Sequence, residues 1–348
     1  MKRYFYVMIA AVFMAVSLAG CGAGGQQVET SKDSLRIVTT IFPEYDWVMN
    51  ILGDNPADAE VTMLLDSGVD LHSFQPSADD ILKISTCDLF IYVDGESDEW
   101  VVDALKEATN RDMFVVRLLE ALGDSAKKEE IIEGMQEDDE HDHGDGDEHD
   151  EDEDGHGEDE DEHGHEEDEA EYDEHVWLSL RNASALVQEI SDAIQMLDPE
   201  NAETYRDNTA AYIAKLDALD EEYSTAIEAA SFHTLLFGDR FPFRYLTDDH
   251  GLDYYAAFAG CSAETEASFE TITFLSGKAD ELELPAVITI EGADHRVAET
   301  IVQNTKTKDQ QILTLDSMQS VTAKDVQDGT TYLSIMESNL EVLKEALK

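Results

Sequence analysis

Between Glu137 and Glu174 the chain holds no Lys or Arg, is built mostly of Asp and Glu, and carries His141, His143, His149, His156, His163 and His165. No core can form from such a tract. Its low hydrophobicity, like-charge repulsion and interspersed glycines leave nothing to offset the entropy of ordering it. Residues 137–172 are therefore expected to be a disordered insert, and whatever folds must fold from the segments on either side. Imidazoles among carboxylates suit zinc, copper or nickel, whereas carboxylates alone suit calcium or manganese. Two uses stand for the tract: a low-affinity metal collector or sensor, and a solvated acidic spacer. The formal net charge of −58 argues against nucleic acid or an anionic membrane face as electrostatic partner and makes cations the natural ligands.

The amino terminus reads as an export signal over residues 1–20. Lys2 and Arg3 precede an apolar run, and Leu18-Ala19-Gly20-Cys21 closes it with the small residues a signal peptidase needs. Those four residues resemble a bacterial lipobox, which implies acylation of Cys21 and a membrane-anchored protein outside the cytoplasm. A tether over 21–34 follows. With Cys21 anchored, Cys87 and Cys261 are the remaining cysteines. The chain is thus no disulfide scaffold, and pairing and two free thiols are both open.

Flanking the insert, short β-rich runs alternate with amphipathic segments, which argues for an α/β fold with mostly parallel sheets. One lobe spans 35–136 and ends in 173–198. Its strands are expected at Leu35–Thr39, Ala59–Leu65, Asp88–Val93 and Met113–Leu119. A second lobe spans 231–348, with strands at Thr234–Gly238, Asp253–Phe258, Ala286–Ile290 and Gln311–Leu315. Between the lobes, Asp198-Pro199-Glu200 suits a helix start. Tyr205, Tyr212, Ile213, Leu216, Leu219 and Tyr223 then recur at helical spacing. The stretch 199–230 is read as a long linking helix, a strut that allows the lobes little motion.

Ligands of open α/β sheets bind outside the carboxyl ends of the strands. His72, Asp239, Glu291 and Asp316 each follow a strand there, and His175 lies where the chain leaves the insert beside Trp177 and Leu178. Two imidazoles and two carboxylates drawn from both lobes make a four-ligand site that zinc accepts and manganese can also use.

The segments Gly68–Pro76 and Asp173–Leu178, and the strand end Thr314-Leu315-Asp316-Ser317, resemble the metal-binding lipoproteins of zinc and manganese ABC importers, the group with a rigid linking helix. The likeness implies two lobes of mostly parallel four-stranded sheets with a metal site in the cleft between them. It also implies His72, His175 and Asp316 as ligands, a membrane permease as partner, and a monomeric carrier rather than an enzyme. The insert's place before the second ligand loop is similar to that of the zinc-specific members.

The third ligand departs from the pattern. Counting back from Phe243 and Tyr245 puts Arg240 where a ligand belongs, and a guanidinium cannot coordinate. Asp239 fits if Pro242 marks an insertion. Glu291, which also reads as a partner orienting a ligand, His250 and water remain as replacements. Zn2+ is the expected metal, with Mn2+ as the alternative. The rival classes are a zinc hydrolase, a metal storage or sensor lipoprotein and an adhesin. No H-E-x-x-H or G-x-S-x-G accompanies the histidines to favour a hydrolase.

Overall fold

The computed structural model of the chain describes residues 34–136, 171–262, 266–292 and 294–348. The expected signal peptide, Cys21 and the six histidines of the insert lie outside the described residues.

The first sheet is built from β1 (Arg36–Thr39), α1 (Phe42–Leu52), β2 (Glu60–Met63), α2 (Ala78–Thr86), β3 (Leu89–Tyr92), α3 (Trp100–Lys106), β4 (Phe114–Arg117) and α4 (Leu118–Leu122). Two helices follow, α5 (Leu180–Leu197) and α6 (Ala202–Glu228). The second sheet comprises β5 (Thr234–Arg240), α7 (Arg244–His250), β6 (Asp253–Phe258), α8 (Phe269–Glu281), β7 (Ala286–Ile290), α9 (Arg296–Asn304), β8 (Gln311–Leu315), α10 (Ala323–Gln327) and α11 (Tyr332–Ala346).

Both sheets are four-stranded, ordered β2-β1-β3-β4 and β6-β5-β7-β8, and every strand pair in them is parallel. The expected strands lie within two residues of these ends. Strands β3 and β7 are buried at every position, as expected of central parallel strands covered on both faces. Each sheet reverses its winding beside its first strand, between β1 and β3 and between β5 and β7, which opens a crevice at the strands' carboxyl ends.

The long helix starts later than the sequence suggests. Asp198 closes α5 instead of opening α6, because its Oδ2 accepts from Asn201 Nδ2 and from the Tyr205 hydroxyl, both at 2.7 Å. From Ala202 on, Tyr205, Thr209, Tyr212, Leu216, Leu219, Tyr223 and Ile227 form one buried stripe, the three-and-four spacing of a helix face. At 1.5 Å per residue α6 is about 40 Å long.

Helix α6 is stitched to both lobes. Asn208 Nδ2 donates to the Ile51 carbonyl at 3.0 Å and the Tyr212 hydroxyl to Asp46 at 3.2 Å. Farther along, the Tyr223 hydroxyl donates to the Met336 carbonyl at 2.6 Å. A single buried cluster runs through both lobes. At its centre Trp47 of α1 meets Tyr332 of α11 edge to face, with ring centroids 5.4 Å apart. Close-packed interiors resist deformation, so this shared core leaves the cleft no simple hinge.

Candidate metal centre

The first side of the cleft is the turn after β2. Gly68 has φ +77°, and a Cβ there would lie 3.1 Å from the Ser320 carbonyl of the opposite lobe, so the close approach requires glycine. Asp70 caps the short turn Leu71–Ser73 by accepting from the His72 N–H at 3.0 Å. Buried Leu71 anchors that turn, and His72 is thereby turned inward. Its Nδ1 lies 2.7 Å from Ser97 Oγ and 3.5 Å from Glu174 Oε2. Glu174 is fixed in turn by the Ser97 N–H at 2.8 Å. It fits because Gly95 (φ +100°) has no Cβ, which would meet Glu174 Oε1 at 2.4 Å.

His175 approaches from the far side of the insert. The segments Lys127–Glu129 and Glu171–Asp173 pair antiparallel through backbone bonds of 2.7 and 2.8 Å. The chain then enters the turn Val176–Leu178, buried throughout. Asp173 Oδ1 accepts from the His175 N–H at 2.9 Å and faces its Nδ1 at 3.0 Å. These partners assign the protons. A carboxylate only accepts, so His175 carries its proton on Nδ1, and Ser97 and Glu174 favour the same tautomer for His72.

Both Nε2 lone pairs therefore point into the cleft, 3.3 Å apart. Burial, and then repulsion from a charged His175, pushes the His72 pKa down to about 3, so its ring is a neutral donor at ordinary pH. In a tetrahedral zinc site with Zn–N near 2.05 Å, two ligand nitrogens stand about 3.3 Å apart. Each second nitrogen is also held by a partner, as in rings oriented for metal.

Cys261 joins the pair. Its Sγ and one nitrogen of each histidine all lie within 4.8 Å of one another, the group of metal-ligating type among the described residues. Neither cysteine is in a disulfide, which answers the open question of pairing. Burial first, then the carboxylates of Glu129, Glu174 and Asp173, raises the Cys261 thiol well above its ordinary pKa. Gln319 also reaches the site, its Nε2 3.4 Å from His175 Nε2. The Gln319 Oε1 is buried without a hydrogen-bond partner. Neither residue is among the ligands expected from sequence, although Cys261 follows β6 by three residues and obeys the same strand-end rule as the others.

The carboxylates expected as ligands do not enter this group. Asp239 Oδ1 accepts from the Arg240 N–H at 2.9 Å and Oδ2 from the Ile290 N–H at 3.2 Å, which ties the ends of β5 and β7 together. Burial raises its pKa. Asp316 Oδ1 accepts from the Met318 N–H at 2.7 Å. Burial, then the charge of Glu291, raises the Asp316 pKa to about 6. Glu291 accepts from the Ser317 N–H and hydroxyl at 2.6 and 2.7 Å and from the Gln319 N–H at 3.0 Å. It organises the loop that presents Gln319.

His250 is remote from the pair, stacked on Tyr223 and 3.3 Å from Asp220. Arg240 spans the cleft to Asp70 at 2.7 Å. Beside these groups opens a cleft of about 590 Å³ lined by His72, Asp239, Arg240, Glu291 and Gln319 among others.

The family model described as zinc-uptake complex component A, periplasmic, matches residues 37–346. The chain belongs to that family. Among its relatives, the high-affinity zinc uptake system protein ZnuA of Bacillus subtilis is 31% identical over 341 residues, covering 98% of this chain and 96% of the relative. The zinc-binding lipoprotein AdcA of Streptococcus pneumoniae is 30% identical over 338 residues, 97% of this chain but only 60% of AdcA. This chain thus spans about three fifths of the AdcA proteins it matches. The crystal structure of the Zn(II)-bound ZnuA-like domain of that AdcA superposes with a TM-score of 0.65 at 27% identity, covering 90% of this chain and 99% of the domain. The two-lobed α/β architecture expected from sequence is the architecture of this zinc-uptake family.

Proposed function

We propose that this chain captures zinc outside the cytoplasm and delivers it to an ABC-type membrane permease, with His72 and His175 as ligands. The observation that carries the reading is the pair of Nε2 atoms 3.3 Å apart, each ring held at its other nitrogen. The separation is the nitrogen–nitrogen edge of a zinc tetrahedron, so an ion between the two rings would take a lone pair from each. Relatives named for zinc binding and zinc uptake support the same cargo.

Nitrogen donors at the centre favour zinc over manganese, which prefers oxygen. Carriage suits the site better than hydrolysis, because the polar group beside His175 Nε2 is the Gln319 amide, which cannot act as a general base. The shared core of the lobes supports release by loop movement around His72 and His175 on docking, in place of hinge opening. Anchoring through Cys21 and monomeric action complete the proposal.

Competition titration of the full chain with zinc and manganese tests it. One tight zinc site is expected, weakened by His72→Ala and by His175→Ala and poorly contested by manganese. A tight site indifferent to both substitutions would place capture elsewhere in the chain.

A further inference from the structure

The cleft offers two imidazoles, and the carboxylates expected as ligands are not gathered with them. A zinc ion held by His72 and His175 needs at least one more protein donor, because structural zinc sites take four protein ligands and catalytic ones three. We propose that Cys261 is that donor, a thiolate that closes on the ion and makes the site one for soft and borderline cations such as zinc, and a poor one for manganese. The proposal rests on the reading of the cleft as a metal-capture site and specifies its chemistry.

Geometry carries the assignment. With Zn–N near 2.05 Å and Zn–S near 2.3 Å, a sulfur and a nitrogen in one tetrahedron stand about 3.6 Å apart. The Cys261 sulfur already lies within 4.8 Å of one nitrogen of each imidazole, close enough for a small side-chain movement to bring it onto an ion held between the rings.

The backbone around the cysteine is fixed for this approach. The Cys261 N–H donates to Glu129 Oε1 at 3.0 Å. The preceding Gly260 runs so close to His175 that a Cβ would sit 3.2 Å from the ring and 3.0 Å from the Phe241 carbonyl. Cys87 shows the contrast. It is buried at the end of α2, with its sulfur against the Ile84 carbonyl and the Met113 thioether, and reads as a small apolar core residue.

Among the described residues the group that gathers at the two histidines contains Cys261 and none of the expected carboxylates. Asp239 holds β5 to β7, Asp316 caps its own turn, and Arg240 is paired with Asp70. On binding, the Cys261 S–H bond breaks, a metal–sulfur bond forms and the proton leaves to buffer. Thiolates select zinc, cadmium and cuprous ions and offer little to manganese. The Gln319 amide beside His175 fits the fourth place, since rotation presents the oxygen that lacks a partner here.

Cobalt(II) titration of the full chain tests this, because a cobalt–thiolate bond gives a near-ultraviolet charge-transfer band that imidazole and carboxylate ligands do not. Wild type should develop the band at one equivalent, and Cys87→Ser should keep it. Cys261→Ser should lose it while melting like wild type without metal. Its zinc affinity should fall by at least the roughly 10–100-fold that loss of an outer-shell partner costs. Tight cobalt binding that depends on His72 but shows no thiolate band, or a band that survives Cys261→Ser, overturns the assignment and leaves zinc capture standing. Absence of any tight site sensitive to His72→Ala removes both.

Discussion

Asp173 is the residue through which the protein sets the direction of His175, and removing it separates orientation from ligation. In Asp173→Ala both ring nitrogens of His175 remain, but its N–H and Nδ1–H lose the acceptor they share at 2.9 and 3.0 Å. Outer-shell partners of this kind are worth about 10–100-fold in metal affinity, or roughly 1.4–2.7 kcal/mol. His175 is fully buried, so each orphaned donor also costs about 1–3 kcal/mol of folding stability.

The binding loss can be read from melting. Saturating zinc stabilises the folded state by RT ln(1 + [Zn]/Kd), so the zinc-induced stabilisation shrinks by the same roughly 1.4–2.7 kcal/mol. A folded unit of about 300 residues has an unfolding entropy near 0.6 kcal/mol/K, which converts the loss to about 2–4 °C. The assay is calorimetric melting of both proteins with chelator and with a fixed excess of zinc, beside a chelator-competition titration. A variant that melts cooperatively and binds zinc as tightly as wild type would refute the claim that Asp173 orients the ligand.

Stability should fall as pH rises toward neutrality. Burial, then the charge of Glu174, raises Asp98 to about 7, and burial raises Asp46 to about 6. The folded state holds these protons more tightly than the unfolded one. Their contribution is therefore complete below about pH 4 and lost as pH passes through about 6 to 7, a change on the order of a few kcal/mol. Melting in chelator from pH 5 to 8 should show the decline, and Asp98→Asn should flatten it; an unchanged slope would assign it to other groups. Trp47→Ala should cost about 3–5 kcal/mol by opening the core both lobes share at Tyr332, with the two lobes still unfolding in one transition; two separated transitions would show that the lobes are independent. Replacing residues 137–170 with a short Gly/Ser linker should remove weak zinc equivalents and spare the tight one, as equilibrium dialysis would show; loss of the tight site would move capture into the insert.

Much of the fold is legible in the sequence because its signals are local. Alternating β-rich and amphipathic segments place the strands within two residues of their ends, and parallel pairing follows from the crossovers that separate them. The start of α6 is less legible, since Asp198-Pro199-Glu200 has the chemistry of a helix opening. The acceptor role of Asp198 toward Asn201 and Tyr205 decides otherwise, and it depends on a turn that forms only once α5 and α6 pack.

The site divides along the same line. By itself the sequence determined that strands and helices alternate on either side of the acidic tract, and that His72 and His175 leave their elements where a cleft must open. Both of these depend on residue type and near-neighbour spacing. Tertiary structure alone decided which strand-end groups meet. It turned the Asp239 and Asp316 carboxylates onto backbone N–H groups and drew Cys261 and Gln319 toward the histidines. The reason is physical: a strand-end rule locates a side chain to within a loop, whereas a metal bond is settled by the direction of one atom, and that direction is fixed by partners far away in the chain.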